Sequence, residues 1–223
     1  MNTSLVKKIS LKNDDDVLSL NVIIQKNEEY KDNFRKNLLF ELMRSGQLSS
    51  PEKKEKFLGY FQIWSIYFQR MMLLKTALCE DPAFTPLFYQ HLDEEYGHDK
   101  VLFQEREIKS IHNDAILEAI SNWFFSKMLS FTPYEQVVLV NLCLEASSLI
   151  FHEHAVPALD PNKKLIFLQL HKELDASHEK MGLSLLEDLT KNHYSRLLNI
   201  QESSWSMIEA LMMRIAELAV KTG

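Results

Sequence analysis

The sequence predicts an all-α protein, a single domain built as a bundle of seven helices. Three observations carry that expectation. The chain has 223 residues, 46% of them hydrophobic and 25% charged, which suits one substantial core and leaves little room for a second domain. It has five glycines and six prolines, fewer than strands joined by tight turns usually need. Most of the prolines directly follow a residue able to cap a helix: Ser50-Pro51, Asp81-Pro82, Thr85-Pro86, Thr132-Pro133 and Asp160-Pro161. A proline at the first helical position loses nothing, because its missing N–H would have no partner there.

Taken in order, residues 1–26 have no sustained helical period and are read as an N-terminal arm, with a helical domain over 27–223. A first helix is predicted over 28–45. The second, 51–80, starts at the Ser50 cap and carries the aromatic series Phe57, Tyr60, Phe61, Trp64, Tyr67 and Phe68, a core stripe that can also wall a pocket. The third, 84–108, follows the Asp81-Pro82 and Thr85-Pro86 signals, and the fourth spans 113–129. For the fifth, 133–156, Thr132 and Glu135 make a capping box, and Val137 to Leu144 is apolar almost all round, as a central helix should be. The sixth, 161–190, opens at Asp160-Pro161, and the seventh covers 196–221.

The net charge is −6, and no basic cluster is dense enough to neutralise a run of phosphates, so nucleic acid is not expected as a partner. Cys79 and Cys143 lie far apart in apolar helical stretches, which points to reduced thiols and a cytoplasmic protein. Asp14, Asp15 and Asp16 follow the lysines of the N-terminus, and Ser19 and Asn21 interrupt the next apolar run, a poor signal peptide. The sequence has no uninterrupted apolar run of the roughly 18–20 residues a membrane span needs, so no membrane association is expected.

The chemistry lies on three helices. On the sixth, His171, Asp175 and His178 stand at i, i+4 and i+7, within roughly 60° of one another at about 100° per residue. Phe167, Leu168, Leu174, Met181 and Leu185 flank them, while Lys172, Glu173, Glu179 and Lys180 take the other side. On the third helix His91, Glu95 and His98 repeat that spacing beside Phe88, Leu92 and Leu102. The fifth helix adds Glu145, a lone carboxylate in an apolar run.

Ionisable groups aimed into a core need compensation, by a metal or by a closed hydrogen-bond network. For Glu145 the structural alternative is a salt bridge to a buried cation such as Arg70. Three carboxylates (Glu95, Glu145, Asp175) and three imidazoles (His98, His171, His178) can supply two divalent ions, and such mixed oxygen and nitrogen donors suit iron or manganese better than a structural zinc site. His152 and His154 sit before Pro157 near a helix end and are read as structural. His112 and His193 lie at junctions.

The run Glu95-Tyr96-Gly97-His98, then Leu144-Glu145, then His171, Asp175 and His178 resembles the haem-oxygenase-like diiron oxidases, which share a fold superfamily with haem oxygenase and the TenA and PqqC proteins. The resemblance covers about residues 30–220 and rests on those six metal-site residues. It implies a haem-oxygenase-like bundle, two irons, O2 activation, and a small organic acid or amine of the fatty-acid or amino-acid class as substrate, in a homodimer. It also places Glu95 among the ligands and leaves His91, Glu94 and Asp99 as substitutes or as groups that orient a ligand. Two rival readings stand beside it. One is a metal-free TenA-like or PqqC-like enzyme that holds an organic ligand in the same cavity, and the other is a non-enzymatic bundle that binds a partner.

Overall fold

The computed structural model describes residues 18–110, 112–162 and 164–221, except for the side chains of residues 171–176. Among the described residues there is no β-strand. The helices are α1 (Leu20–Phe34), α2 (Leu38–Arg44), α3 (Pro51–Ala77), α4 (Thr85–Glu95), α5 (His98–Glu105), α6 (Ala115–Lys127), α7 (Pro133–Leu159), α8 (Ile166–His178) and α9 (Lys191–Val220). The all-helical bundle is as predicted, with two of the seven helices each broken into a pair.

The first break separates α1 from α2 at residues 35–37, where the Asn37 side chain accepts the Leu39 N–H at 3.0 Å and starts a new helix. The helix α1 also begins at Leu20, inside the stretch read as an arm. Its inward face is Ile23, Asn27 and Phe34, and the polar Asn27 hides the apolar period. The second break falls between α4 and α5 at Gly97, whose φ of +94° lies in the left-handed region that favours glycine.

The predicted sixth helix is shorter than its pattern. Asp160 accepts the Lys164 and Leu165 N–H groups at 2.8 and 2.9 Å, and Glu105 of α5 accepts those of Ile166 and Phe167, so α8 starts at Ile166. It stops at His178, before Gly182 (φ +82°) and a short 3-10 turn over Leu183–Leu186.

The three longest helices, α3, α7 and α9, form the centre. The helix α9 packs on α3 and α7, α3 also carries α4, α5 and α6, and α7 carries α2 and α8, with α1 laid across α7 and α9. By length and hydropathy α7 could cross a membrane, but here it is mostly buried among its neighbours, which accounts for its apolar surface. Its segment Val137–Glu145 is π-helical and entirely buried. The side chain of Asn27 ties three helices together there: its amide donates to Leu142 O (2.9 Å), and its oxygen accepts from Trp205 Nε1 (2.8 Å) and Gln201 Nε2 (3.1 Å). Cys143 is buried and Cys79 partly so, and neither is in a disulfide.

Candidate metal centre

Helix period and one backbone break bring the site together. His91 and Glu95 are one turn apart on the inward face of α4, both buried. Glu145 ends the π-helical segment of α7, a kind of local distortion that often accompanies function. His178 is the last residue of α8, fully buried, and its carbonyl accepts from Asn141 Nδ2 (3.2 Å).

The donor atoms of His91, Glu95, Glu145 and His178 lie within 4.8 Å of one another, and all four residues are buried. His91 Nε2 is 3.0 Å from Glu145 Oε1. His178 Nδ1 stands 3.5 Å from both Glu95 Oε1 and Glu145 Oε2, while its Nε2 is 2.6 Å from Glu94 Oε2. The two imidazole rings are 4.5 Å apart. Two imidazoles and two carboxylates gathered in a dry interior could hold a divalent metal ion.

The remaining predicted ligands fall into two groups. His98 begins α5 instead of continuing α4, yet its Nδ1 still reaches Glu95 Oε2 at 3.0 Å. The side chains of His171 and Asp175 lie outside the described residues. His91, which the resemblance leaves as a substitute ligand or an orienting group, packs directly against Glu145, because the i, i+4 spacing aims it where Glu95 points.

Sequence reasoning missed Lys75. The suggested counter-ion Arg70 is exposed and sits over Tyr67, whereas Lys75, near the end of α3, is completely buried. Its Nζ lies 3.2 Å from His91 Nδ1 and 4.6 Å from the centre of the Phe88 ring. A polar residue in the last turn of a helix ordinarily reads as solvated, so no sequence signal marked it.

The electrostatics follow from this crowding. Burial pushes the Lys75 amine down to about 7, with Glu145 and Glu95 opposing the fall. Burial, Lys75 and His178 together hold His91 well below the usual imidazole range. For His178 burial acts downwards too, but the Glu145 and Glu94 carboxylates outweigh it and raise its pKa to about 9. With no metal present, His178 is therefore an imidazolium, and it and Lys75 face the carboxylates.

A cavity of about 60 Å³ opens beside the cluster. Glu95, His98 and Glu145 form one end of its wall, and aromatic and aliphatic side chains of α3, α7 and α9, Trp64, Phe151 and Leu211 among them, form much of the rest. His152 stands seven residues from Glu145 on the same face of α7, about 10 Å along the axis.

Comparison with known proteins gives a relative and a fold. The chain is 38% identical to the "Uncharacterized protein RP592" of Rickettsia prowazekii over 199 residues, 89% of this chain and 95% of that one. No protein-family model matches. Among solved structures, a TenA homologue from Pyrococcus furiosus, PF1337, superposes with a TM-score of 0.70 at 18% identity, covering 88% of this chain and 98% of that one. A domain of unknown function with a heme oxygenase-like fold from Shewanella denitrificans gives 0.68 at 12%, covering 89% and 92%. A TenA homologue from Pseudomonas syringae pv. tomato gives 0.64 at 11%, covering 87% and 91%. At such identities these likenesses establish the haem-oxygenase-like fold alone.

Proposed function

The chain belongs to the same family as the Rickettsia prowazekii protein RP592, and from its fold and its buried donor cluster we propose that it is a non-haem diiron enzyme that uses O2 to oxidise or fragment a small organic acid or amine. The observation that supports this most is the convergence of His91, Glu95, Glu145 and His178 from three helices in a space without water-facing alternatives. Both the chemistry of the donors and their burial fit a metal ion. Glu95, His98, Glu145, His171, Asp175 and His178 would hold the two ions, with His91 beside them as a further donor. Iron is preferred, and manganese would fit the same donors. As parts of the same proposal the enzyme is cytoplasmic, for its reduced thiols, and homodimeric, by the resemblance.

When bound, the irons would supply the activation of O2. The chain's own groups hold and orient. Glu94 Oε2 takes the Nε2–H of His178 and turns its Nδ1 towards Glu95 and Glu145, so that Nδ1 would have to give up its proton to hold a metal. His91 Nδ1 now faces the amide nitrogen of Asn141 at 3.2 Å and Lys75, so its proton sits on Nε2 and is donated to Glu145. Were His91 to hold a metal through Nε2, its proton would sit on Nδ1, on the side of Lys75. The apolar wall beyond Glu145 excludes water and presses a substrate towards the centre.

One observation favours the metal-free TenA-like reading: Lys75 and His178 already compensate Glu95 and Glu145 with no metal at all. The experiment that separates the two is O2 uptake by protein loaded with Fe(II) under argon, compared with the Glu145→Gln variant. The diiron reading expects rapid uptake by wild type that the variant loses. Uptake no faster than that of free Fe(II) supports the metal-free enzyme.

A further inference from the structure

The proposal above requires divalent ions to reach donors that are shut off from water. His91, Glu95, Glu145 and His178 are all buried, and Lys75 beside His91 is completely so. A hydrated ion does not cross an apolar layer, because the layer offers nothing in place of the water it must shed. It needs a side chain that stands in water at one end and touches the cluster at the other.

Two side chains among the described residues bond the buried donors and also reach the surface. His98 is 14% exposed and bonds Glu95, and Glu94 is 32% exposed and bonds His178. Glu94 is the more exposed, and as a carboxylate it can attract a cation from solution and ligate it. Its Oε2 lies 2.6 Å from His178 Nε2, and Gln90 Nε2 donates to its Oε1 at 3.1 Å, which holds the carboxylate in this inward position. The other nitrogen of the same ring, His178 Nδ1, points at Glu95 Oε1 and Glu145 Oε2, 3.5 Å from each, and makes no hydrogen bond among the described residues. One imidazole thus stands between the carboxylate at the surface and the carboxylates inside.

The backbone around that imidazole is pinned. Asn141 Nδ2 donates to the His178 carbonyl at 3.2 Å, and Glu179, the next residue, pairs with Lys31 of α1 at 2.9 Å. Moving the end of α8 would break both contacts, whereas turning the His178 ring and the Glu94 side chain breaks only the bond between them and the one from Gln90. We infer that Glu94 is the port through which divalent ions enter and leave the buried centre, its carboxylate taking the ion from water and handing it past the His178 ring to Glu95 and Glu145. The inference rests on the reading of the cluster as a metal centre and adds a role that the final ligands do not have. Glu94 binds the ion in passing, and its bond to His178 then re-forms and closes the way out.

A port lowers the barrier in both directions, so its loss slows uptake and release by the same factor and leaves the affinity alone. A group that only orients His178 would leave uptake unchanged and speed release. The test is stopped-flow mixing of metal-free protein with Co(II) under argon, read by the d–d absorption of Co(II) on nitrogen and oxygen donors, with release followed in excess EDTA. Glu94→Gln keeps an acceptor for His178 but ligates cations poorly, and should slow uptake and release alike by at least about tenfold. Its Kd should change by no more than about threefold, the effect of one partly exposed charge. Asp93→Asn removes the same charge from the exposed neighbouring position and should match wild type. Uptake by Glu94→Gln as fast as wild type, faster release with weaker affinity, or equal slowing by Asp93→Asn would overturn the inference and leave the metal centre standing. Wild type that takes up no Co(II) would remove the metal centre itself, and the port with it.

Discussion

Glu145 sits in the most apolar stretch of the chain, and its isolation there made it readable as a site residue before any coordinates. Glu95 and His178 were readable for a similar reason, since helical period placed them on faces otherwise filled by Phe88, Leu102, Phe167 and Leu168. His91 obeyed the same period, but the resemblance placed Glu95 among the ligands and left His91 as a substitute or an orienting group. Lys75 carried no signal, since burial of a lysine at a helix end depends on what packs over it. The contacts now make His91 and Glu95 equal candidates, so both His91→Ala and Glu95→Gln should lower the iron retained per chain after anaerobic loading and desalting. If His91→Ala keeps the wild-type iron content, His91 only orients its neighbours. Asp175→Ala tests a residue whose side chain lies outside the described region, and should lose at least one ion per chain in the same loading and desalting measurement.

At the scale of elements, the proline and cap signals located α3 and α7, because Ser50 and the Thr132–Glu135 box act locally. The breaks at Asn37 and Gly97 were missed for the opposite reason. Each lies within a run whose apolar period continues across it, and only tertiary contacts, such as Gln69 with Gly97 N–H, show the change of direction. Asn27 spoiled the period of α1 while joining that helix to α7 and α9. Asn27→Ala should therefore cost about 2–4 kcal/mol, the result of leaving Trp205 Nε1 and Leu142 O unpartnered in the core, measurable by urea unfolding. A loss below about 0.5 kcal/mol would mean that water or repacking replaces those bonds.

Asp114 gives a second element-scale prediction. It caps α6 through Leu117 N–H (2.8 Å) and pairs with Arg214 of α9 (2.6 Å), and these bonds, Arg214 foremost, hold its pKa below the ordinary 3.8. A depressed carboxylate adds stability above its unfolded pKa and loses it as pH falls through the folded value. Asp114→Asn, which can still cap, should be about 1 kcal/mol less stable than wild type at neutral pH. That gap should close as the pH drops below 3.8. A gap independent of pH would show that the ion pair contributes nothing.

For the molecule as a whole, composition was enough to indicate one helical domain, because few glycines and prolines and a single core's worth of apolar residues leave little else. The position of the cavity depends on how α3, α7, α8 and α9 pack, which no local pattern encodes. An ion that binds only the folded chain adds stability by mass action, about 2.7 kcal/mol at a hundredfold excess over Kd, or a rise of roughly 5–10 °C in Tm for a chain of this size. Fe(II) added under argon should produce such a shift in wild type and not in a Glu95→Gln, Glu145→Gln double variant. An equal shift in both would place the binding elsewhere on the surface.

The central claim is that the buried cluster holds a pair of irons, and Mössbauer spectroscopy of protein loaded with isotopically enriched Fe(II), desalted under argon and then mixed with O2, tests it most directly. Two ferrous ions per chain, converting together on O2 exposure to a spin-coupled ferric pair, is the result expected, with both signals absent from the Glu95→Gln, Glu145→Gln variant. Iron that is lost on desalting, or that remains as uncoupled single ions in wild type and variant alike, would contradict it.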